Sequence, residues 1–167
     1  MSRTDMTIRD ARPGDLPVVV DIYNAAIPGR RATADLQPMT VEQRRAWFEG
    51  HGERRPIWIA ERAGMVAAWL SFEEFYGRPA YHRTAEVSVY VHPDHQGCGV
   101  ARELLRAAIA RAPSLGIARL VGFIFGHNEA SLQLFAAHGF ERWGRLPEVA
   151  ELDGRMADLV IVGRGVG

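Results

Sequence analysis

The sequence predicts a mixed α/β fold with a central sheet of about six to seven strands and about four flanking helices. Apolar and polar residues alternate over Ala85–Val91, which is the period of a half-buried strand. Apolar residues then recur about every four positions from Val100 to Ala112, which is typical of an amphipathic helix. Along the whole chain the order is a strand, two helices, three strands, a helix, a strand, a helix and two strands, and we expect right-handed crossovers through the last two helices.

The amino-terminal part is predicted to form one strand and two helices. Thr7–Arg9 is interpreted as a short strand. Asp15 follows a Pro-Gly turn and is predicted to cap the first helix, which a later Pro-Gly pair ends. Thr40 is predicted to cap the second helix, and Gln43 three residues on completes a capping box. The segment 30–38 between these helices is polar and irregular, so we predict a loop.

The centre of the chain is predicted to form a hairpin followed by a third strand. Strands at 57–61 and from 65 to about 72 flank the Ala63-Gly64 turn. We predict a loop over 73–83, and Pro93 ends the next strand because proline cannot donate a ladder hydrogen bond. The remaining predicted elements are a helix over 99–112, a strand over 120–125, a helix capped by Asn128, a strand from Phe140 onward and a last strand over 159–162.

Composition limits the class of protein. The chain has 167 residues, which is typical of one domain, and its 20 basic and 20 acidic residues give a formal net charge of zero. Zero net charge argues against binding of nucleic acid by bulk charge and leaves only a local basic patch as an alternative. The single cysteine, Cys98, excludes an internal disulfide framework and fits a reducing compartment. The sequence has neither a long apolar run nor an apolar leader, so we expect a cytoplasmic protein with no membrane or nucleic-acid partner.

A glycine-rich turn between a predicted strand and a predicted helix is the most informative segment. It reads Gln96-Gly97-Cys98-Gly99-Val100-Ala101. Glycines allow a tight turn, and the free N–H groups of a helix start attract an anion such as a pyrophosphate. The segment lacks the Gly-Lys-Ser/Thr of a P-loop, and Arg102 stands where a dinucleotide fingerprint needs its third glycine.

Val89–Ala101 resembles motif A of the GNAT superfamily of N-acetyltransferases, whose core is Gln/Arg-x-x-Gly-x-Gly/Ala. Asn128-x-x-Ser131, followed by Gly139-Phe140, resembles the next motif of that family. The stretches that resemble its phosphinothricin and methionine sulfoximine acetyltransferase branch are Ile22–Ala25, Ala46–Phe48, Ala85–Val91 and Gly154–Asp158. The resemblance implies a GNAT (acyl-CoA N-acyltransferase) fold over 1–167 as one domain, and a homodimer.

The resemblance also implies acetyl-CoA as the cosubstrate. It would lie in a V-shaped opening between the strand that ends at Val91 and the strand around Phe123, with its pantetheine along the first strand and its pyrophosphate at the glycine turn. The residues that the resemblance assigns to cofactor binding are Val89, Tyr90, Val91, Gln96, Gly97, Cys98, Gly99, Val100, Ala101, Arg102, Asn128 and Ser131.

Glu86 is the candidate general base. An acceptor amine is largely protonated at neutral pH, and a carboxylate with a pKa of about 4.3 needs burial or a relaying water to accept its proton. A backbone N–H near Val89 or Tyr90 would stabilise the oxyanion formed during transfer. Many family members have a tyrosine where this chain has Phe135. A thiol with a pKa of about 8.5 leaves as the thiolate, so direct transfer without a general acid is the expected mechanism.

The resemblance implies an acceptor site built from two loops, 30–35 and 75–83. Arg78, Tyr81 and Arg83 are the candidate acceptor-binding residues of the second loop. Arginine pairs bidentately with a carboxylate, such as that of an amino acid, and Arg30 and Arg31 offer the same chemistry. The implied acceptor is therefore a small primary amine, an amino-acid analogue such as phosphinothricin or methionine sulfoximine.

Alternative interpretations remain open from the sequence. Glu86 also fits an exposed strand face, and Arg78 and Tyr81 fit loop surface. A metal site at His92, His95 and Cys98 is disfavoured because structural sites need a fourth ligand, so no metal is expected. The aromatic residues interpreted as core or dimer packing are Trp47, Phe48, Trp58 and Trp69. Other functions are acetylation of a protein N-terminus or a polyamine, and a non-catalytic acyl-CoA sensor; release of free CoA thiol separates enzyme from sensor.

Overall fold

A computed structural model describes residues 5–167 of the chain. Its strands are β1 (Met6–Asp10), β2 (Ile57–Arg62), β3 (Met65–Glu74), β4 (Thr84–Val91), β5 (Arg119–Phe125), β6 (Glu141–Leu152) and β7 (Arg155–Gly165). Its α-helices are α1 (Leu16–Ala26), α2 (Val41–Glu49), α3 (Val100–Arg111) and α4 (Glu129–Ala137). The predicted order of strands and helices is confirmed.

The seven strands form one mixed sheet in the order β1-β2-β3-β4-β5-β7-β6, with helices on both faces. Residues of α1 pack with Ile59 and Trp69 on one face. Residues of α3 and α4, including Leu104 and Phe135, pack with Leu70 on the other. Alternate residues of β2 and β3 therefore contribute to different cores, because successive strand side chains point to opposite faces.

The β4–β5 pair is parallel, whereas the other neighbouring strands of the sheet are antiparallel. Ladder pairing between β4 and β5 covers only three residues of β4, ending at Glu86 opposite Val121. Beyond this point β4 stays paired with β3 through Val91, while β5 stays paired with β7. The two central strands thus diverge and leave a V-shaped opening in the middle of the sheet.

The caps of α2 and α4 are confirmed, and Asp15 occupies the predicted N-cap position of α1, but its side chain does not cap that helix. Thr40 and Gln43 exchange side-chain-to-backbone hydrogen bonds of 2.8 and 3.1 Å. Asp15 has helical dihedral angles and makes no cap hydrogen bond to α1. Its carboxylate instead accepts from the guanidinium of Arg9 at 2.8 and 2.9 Å and from the backbone N–H of Arg12 at 2.6 Å. The Asp15 carboxylate is therefore engaged by Arg9 and is not free to accept hydrogen bonds from the first N–H groups of α1.

Strands β3 and β7 differ from the prediction in ways that matter for the site and for the extent of the sheet. Strand β3 runs to Glu74, so Glu73 is part of the sheet rather than the first residue of a loop. It was missed because acidic residues are disfavoured in strands, and its place depends on pairing with β4. Strand β7 covers eleven residues rather than four, because it pairs with β6 on both sides of its apolar segment 159–162. Among residues 5–167, no helix combines the length and apolar character that a bilayer crossing requires.

Candidate active site

The glycine turn connects β4 to α3 in the way that the sequence predicts. Gly97 and Gly99 have φ values of 74° and 80°, in the left-handed region that other residues rarely adopt. Gly99 is the N-cap of α3, which begins at Val100. Helix α3 has twelve residues, and its first N–H groups have no partner within the helix. These groups point out of the helix toward the turn, where they can bind an anion.

Two side chains add hydrogen-bonding capacity beside this turn. A Cβ atom placed on Gly99 would lie 3.2 Å from Nη2 of Arg102, so the guanidinium folds back over the turn. His95 is buried, and its Nδ1 atom has no hydrogen-bond partner among the described residues. Both line a cavity of about 600 Å³ with the turn itself, named the turn cavity here. The Arg102 guanidinium and the free N–H groups of the turn fit a diphosphate.

The V-shaped opening holds a second cavity of about 410 Å³, the cleft cavity. Its walls are residues 86–90 of β4 and 122–125 of β5, closed by the start of α4. Val89, Tyr90, Ser131 and Phe135 line both this cavity and the turn cavity, so the two are continuous along β4. The structure thus brings the predicted pantetheine and pyrophosphate positions together in one channel.

Backbone direction in β4 decides which N–H groups reach the cleft cavity. The N–H of His92 bonds to the Ala67 carbonyl of β3, and the carbonyl of Arg83 accepts from the β5 side. Hydrogen-bonding direction alternates along a strand, so the main-chain groups of Val89 and Val91 point into the opening. The N–H of Tyr90 points to β3 instead. Of the two predicted oxyanion donors, Val89 has the suitable direction.

Asn128 connects the start of α4 to the first loop. Its Oδ1 atom accepts from the N–H of Ser131 at 3.2 Å, and its Nδ2 atom donates to the carbonyl of Arg31 at 3.2 Å. The hydroxyl of Tyr90 donates to the neighbouring carbonyl of Ala32 at 3.1 Å. These bonds hold the loop over the cleft cavity. Asn128 organises this wall, and its predicted contact with the cofactor stays a prediction.

Glu86 lies where the cleft cavity meets a third cavity. Within the described chain its carboxylate has no hydrogen-bond or ion-pair partner. Burial, and secondarily the negative charge of Glu73, raise the pKa of Glu86 to about 7. A carboxylate with this pKa is half ionised at neutral pH and able to take a proton from a bound ammonium group.

The third cavity, of about 390 Å³, lies between the β3–β4 pair and helices α1 and α2, and is named the aromatic cavity. Side chains of β3 and β4 that face it include Trp69, Ser71, Glu73, Glu86, Ser88 and Tyr90. The guanidinium of Arg44 lies 3.9 Å from the ring centroid of Trp47 and 4.9 Å from that of Tyr23. The sequence predicts that Trp47 and Trp69 are packing residues, and it does not predict this cavity. The alternation of residues along β3 and β4, combined with their pairing register, is the signal that would predict it.

Arg78, Tyr81 and Arg83 lie outside the walls of these three cavities. Tyr81 is 44% exposed and packs against Phe75 with ring centroids 5.5 Å apart. The arginines in the cavity walls are instead Arg102 in the turn cavity, Arg31 in the cleft cavity and Arg44 in the aromatic cavity. The role of the three loop residues in acceptor binding stays a prediction.

The remaining residues of the turn have ordinary surroundings. Cys98 is exposed, with its Sγ atom 3.6 Å from the Gln96 carbonyl oxygen. His92 accepts a hydrogen bond from the N–H of Asp94 at 3.0 Å. Over residues 5–167, no three His, Cys, Asp or Glu side chains form a metal-binding group.

Comparison with known proteins agrees with this geometry. A model of the acetyltransferase (GNAT) family matches residues 19–140. YwnH of Bacillus subtilis (strain 168), provisionally named a phosphinothricin acetyltransferase, is 54% identical over 160 residues, which cover 95% of this chain and 98% of YwnH. The L-methionine sulfoximine/L-methionine sulfone acetyltransferase of Pseudomonas paraeruginosa (strain DSM 24068 / PA7) is 35% identical over 158 residues, 93% of this chain and 92% of that protein.

A solved structure extends the comparison to the cosubstrate. The GNAT superfamily phosphinothricin acetyltransferase from Sinorhizobium meliloti, in complex with acetyl-CoA, superposes with a TM-score of 0.88 at 28% identity, covering 98% of this chain and 89% of that one. The resemblance that the sequence indicated is confirmed, together with the GNAT fold and acetyl-CoA as cosubstrate. The chain belongs to the GNAT family of acetyl-CoA-dependent N-acetyltransferases.

Proposed function

We propose that the protein transfers the acetyl group of acetyl-CoA directly to the primary amine of a small amino-acid analogue such as phosphinothricin or methionine sulfoximine. The observation that carries the proposal is the position of Glu86, an unpaired carboxylate with a pKa of about 7 at the junction of the cleft and aromatic cavities. The names of the relatives supply the acceptor class.

The chain's own groups suffice to hold the cosubstrate. N–H groups from Gly97 to Arg102 and the Arg102 guanidinium would bind the diphosphate, because the turn and the helix start leave them free. Main-chain groups of Val89 and Val91 would pair with the pantetheine amides, since they point into the cleft cavity. Gln96, Cys98, Val100, Ala101 and Ser131 complete the proposed cofactor contacts. When bound, acetyl-CoA supplies a thioester as the activated acyl donor.

Transfer needs one proton acceptor and one oxyanion donor from the protein. Glu86 takes a proton from the acceptor ammonium, and the freed nitrogen lone pair forms a bond to the acetyl carbon. The carbon–sulfur bond breaks, its electron pair leaves with sulfur as the CoA thiolate, and the second proton of the nitrogen passes to that thiolate, which leaves a neutral amide and the CoA thiol. The N–H of Val89 stabilises the negative charge that builds on the acetyl oxygen. Phe135 supports a mechanism without a general acid at its position, because its ring offers no proton.

The aromatic cavity has the charges that an α-amino acid needs. Glu86, its unpaired carboxylate, suits the ammonium group, and the Arg44 guanidinium suits the carboxylate. Arg78, Tyr81 and Arg83 are proposed as further acceptor contacts, because their loop begins directly after Glu74, a residue of the cavity wall.

An acceptor screen with acetyl-CoA and the purified protein tests the proposal. We expect release of CoA thiol with phosphinothricin and methionine sulfoximine, and weaker release with polyamines or peptides bearing a free N-terminus. Preference for a polyamine or a peptide would favour the alternative acceptors. Binding of acetyl-CoA with no thiol release for any amine would favour the sensor function.

We further propose one catalytic domain that assembles as a cytoplasmic homodimer. Strands from Met6 to Gly165 share one sheet, which supports a single domain.

Large apolar side chains exposed on the β6–β7 hairpin are Trp143, Leu146, Val149 and Met156, with exposed fractions of 43–55%. Exposed apolar surface of this kind is typical of an interface. The free Cys98 and the use of acetyl-CoA fit the cytoplasm. Molar mass by light scattering tests the dimer.

A further inference from the structure

We propose that Glu73 is a positioning residue for acetyl transfer: its negative charge, fixed directly across the β3–β4 ladder from Glu86, keeps Glu86 a strong enough base to deprotonate the acceptor amine at neutral pH. The inference rests on the function proposed for Glu86. The contacts that fix Glu73 do not depend on that function.

Two donors hold the Glu73 carboxylate. Its Oε1 atom accepts from Nε1 of Trp47 at 2.8 Å, and Nε2 of His51 lies 3.1 Å from the same oxygen. The other ring nitrogen of His51, Nδ1, lies 2.8 Å from the carbonyl oxygen of Trp47. Both ring nitrogens therefore face acceptors, which only the doubly protonated imidazolium satisfies. The geometry assigns an ion pair between His51 and Glu73.

The electrostatics agree with this assignment. Burial alone would raise the pKa of Glu73, but the bonds from His51 and Trp47 outweigh it, and the pKa falls below its usual range. Burial alone would lower the pKa of His51, but Glu73 outweighs it, and the pKa rises. Glu73 is thus held as a carboxylate in a site where an unpaired carboxyl would be neutral.

Glu73 and Glu86 are direct cross-strand partners. Directly opposed residues of an antiparallel pair have Cβ atoms about 4.5–5.5 Å apart and point to the same face. Both side chains line the aromatic cavity. A fixed negative charge at this distance disfavours ionisation of Glu86 and so strengthens it as a base, and the paired His51 imidazolium offsets only part of that charge. Two adjacent carboxyl groups with pKa values moved in opposite directions are typical of acid–base sites.

Other charged or titratable groups also face Glu86. They are Tyr23 from α1, Arg44 from α2, Glu74 from β3, Tyr90 from β4 itself and Arg31 from the first loop. Glu74 lies 3.6 Å from Arg55, which offsets its charge. Arg44 is stacked on two aromatic rings. Glu73 is the group whose charge adds to burial in raising the pKa of Glu86.

Carboxyl NMR of the full chain labelled with ¹³C-glutamate tests the inference, with the Glu86 signal assigned by its absence in Glu86→Gln. Glu73→Gln keeps an amide that can bond to Trp47 and His51 but removes the charge. We expect the titration midpoint of Glu86 to fall from about 7 by about 0.5 to 1 pH unit, and the acidic limb of kcat/KM to move with it. Glu42→Gln, which removes an exposed charge from α2, should leave the midpoint unchanged.

A second variant separates loss of charge from loss of packing. Glu73→Asp keeps the negative charge with a shorter side chain, so its Glu86 midpoint should stay above that of Glu73→Gln. Equal midpoints in the wild type and Glu73→Gln, with acetyl transfer intact, would overturn the inference alone. A wild-type chain that transfers no acetyl group to any amine would overturn the proposed function, and the positioning role with it, whatever the NMR midpoint.

Discussion

Gly122 on β5 lies against the ring of Phe135 on α4: a Cβ atom at Gly122 would approach Cε1 of Phe135 to 3.1 Å. The same atom would lie 3.1 Å from a methyl group of Val162 on β7. Gly122 and Phe135 both line the cleft cavity, just beyond the point where β5 leaves β4. A glycine at this position lets α4 pack closely on the sheet and sets the width of the opening.

Gly122→Ala should therefore displace Phe135 toward the cleft cavity. We expect a loss of about 1–2 kcal/mol in the free energy of unfolding, as overpacking typically costs, together with weaker acetyl-CoA binding. Denaturant unfolding and calorimetric titration measure the two effects. Adding Phe135→Leu, which removes part of the clash, should recover some of both losses. Additive losses in the double variant would contradict the contact.

Glu86→Gln tests the general base. The amide has the same size but accepts no proton, so we expect kcat to fall by about 10²–10⁴-fold at pH 7.5. The Kd for acetyl-CoA, measured by calorimetry, should change by less than about threefold, because the cosubstrate is held by the turn and by backbone groups. Turnover equal to that of the wild type would remove the role assigned to Glu86.

The same substitution should stabilise the protein at high pH. The pKa of Glu86 is raised in the folded state to about 7 from an ordinary 4.5, so the folded state binds the proton more tightly. Wild-type stability therefore falls as pH rises from about 4.5 through about 7. At pH 8 Glu86→Gln should gain about 3 kcal/mol over the wild type, and the gain should vanish toward pH 4.5. A gain of the same size at both pH values would contradict the raised pKa.

Arg102→Gln tests the phosphate position. Loss of a charged donor beside the turn should weaken acetyl-CoA binding by about 10- to 100-fold. Acetyl-pantetheine lacks the diphosphate, so its affinity should not change. Arg106 lies one turn further along α3 and pairs with Glu103 at 3.3 Å, and Arg106→Gln is the matched control. Equal weakening for both ligands would show that Arg102 acts on the fold of the turn rather than on phosphate.

Local patterns predicted the turn and the strand face on which Glu86 lies. The glycines at 97 and 99 adopt positive φ, and the alternation along β4 places Glu86 on the face opposite its valines. Glu73 was assigned to a loop because its membership of β3 depends on pairing with Glu86, thirteen positions later in the chain. The aromatic cavity was missed because Trp47 and Trp69 are brought together by the packing of α2 on β3, at a ring distance of 5.5 Å.

A crystal structure of the protein with acetyl-CoA and an unreactive amino-acid analogue is the most direct test of the account. We expect the diphosphate at the N–H groups of Gly97 to Arg102, the thioester in the cleft cavity, and the acceptor nitrogen within hydrogen-bond distance of Glu86. A diphosphate bound elsewhere on the chain, or an acceptor nitrogen beyond the reach of Glu86 even through one water, would contradict it.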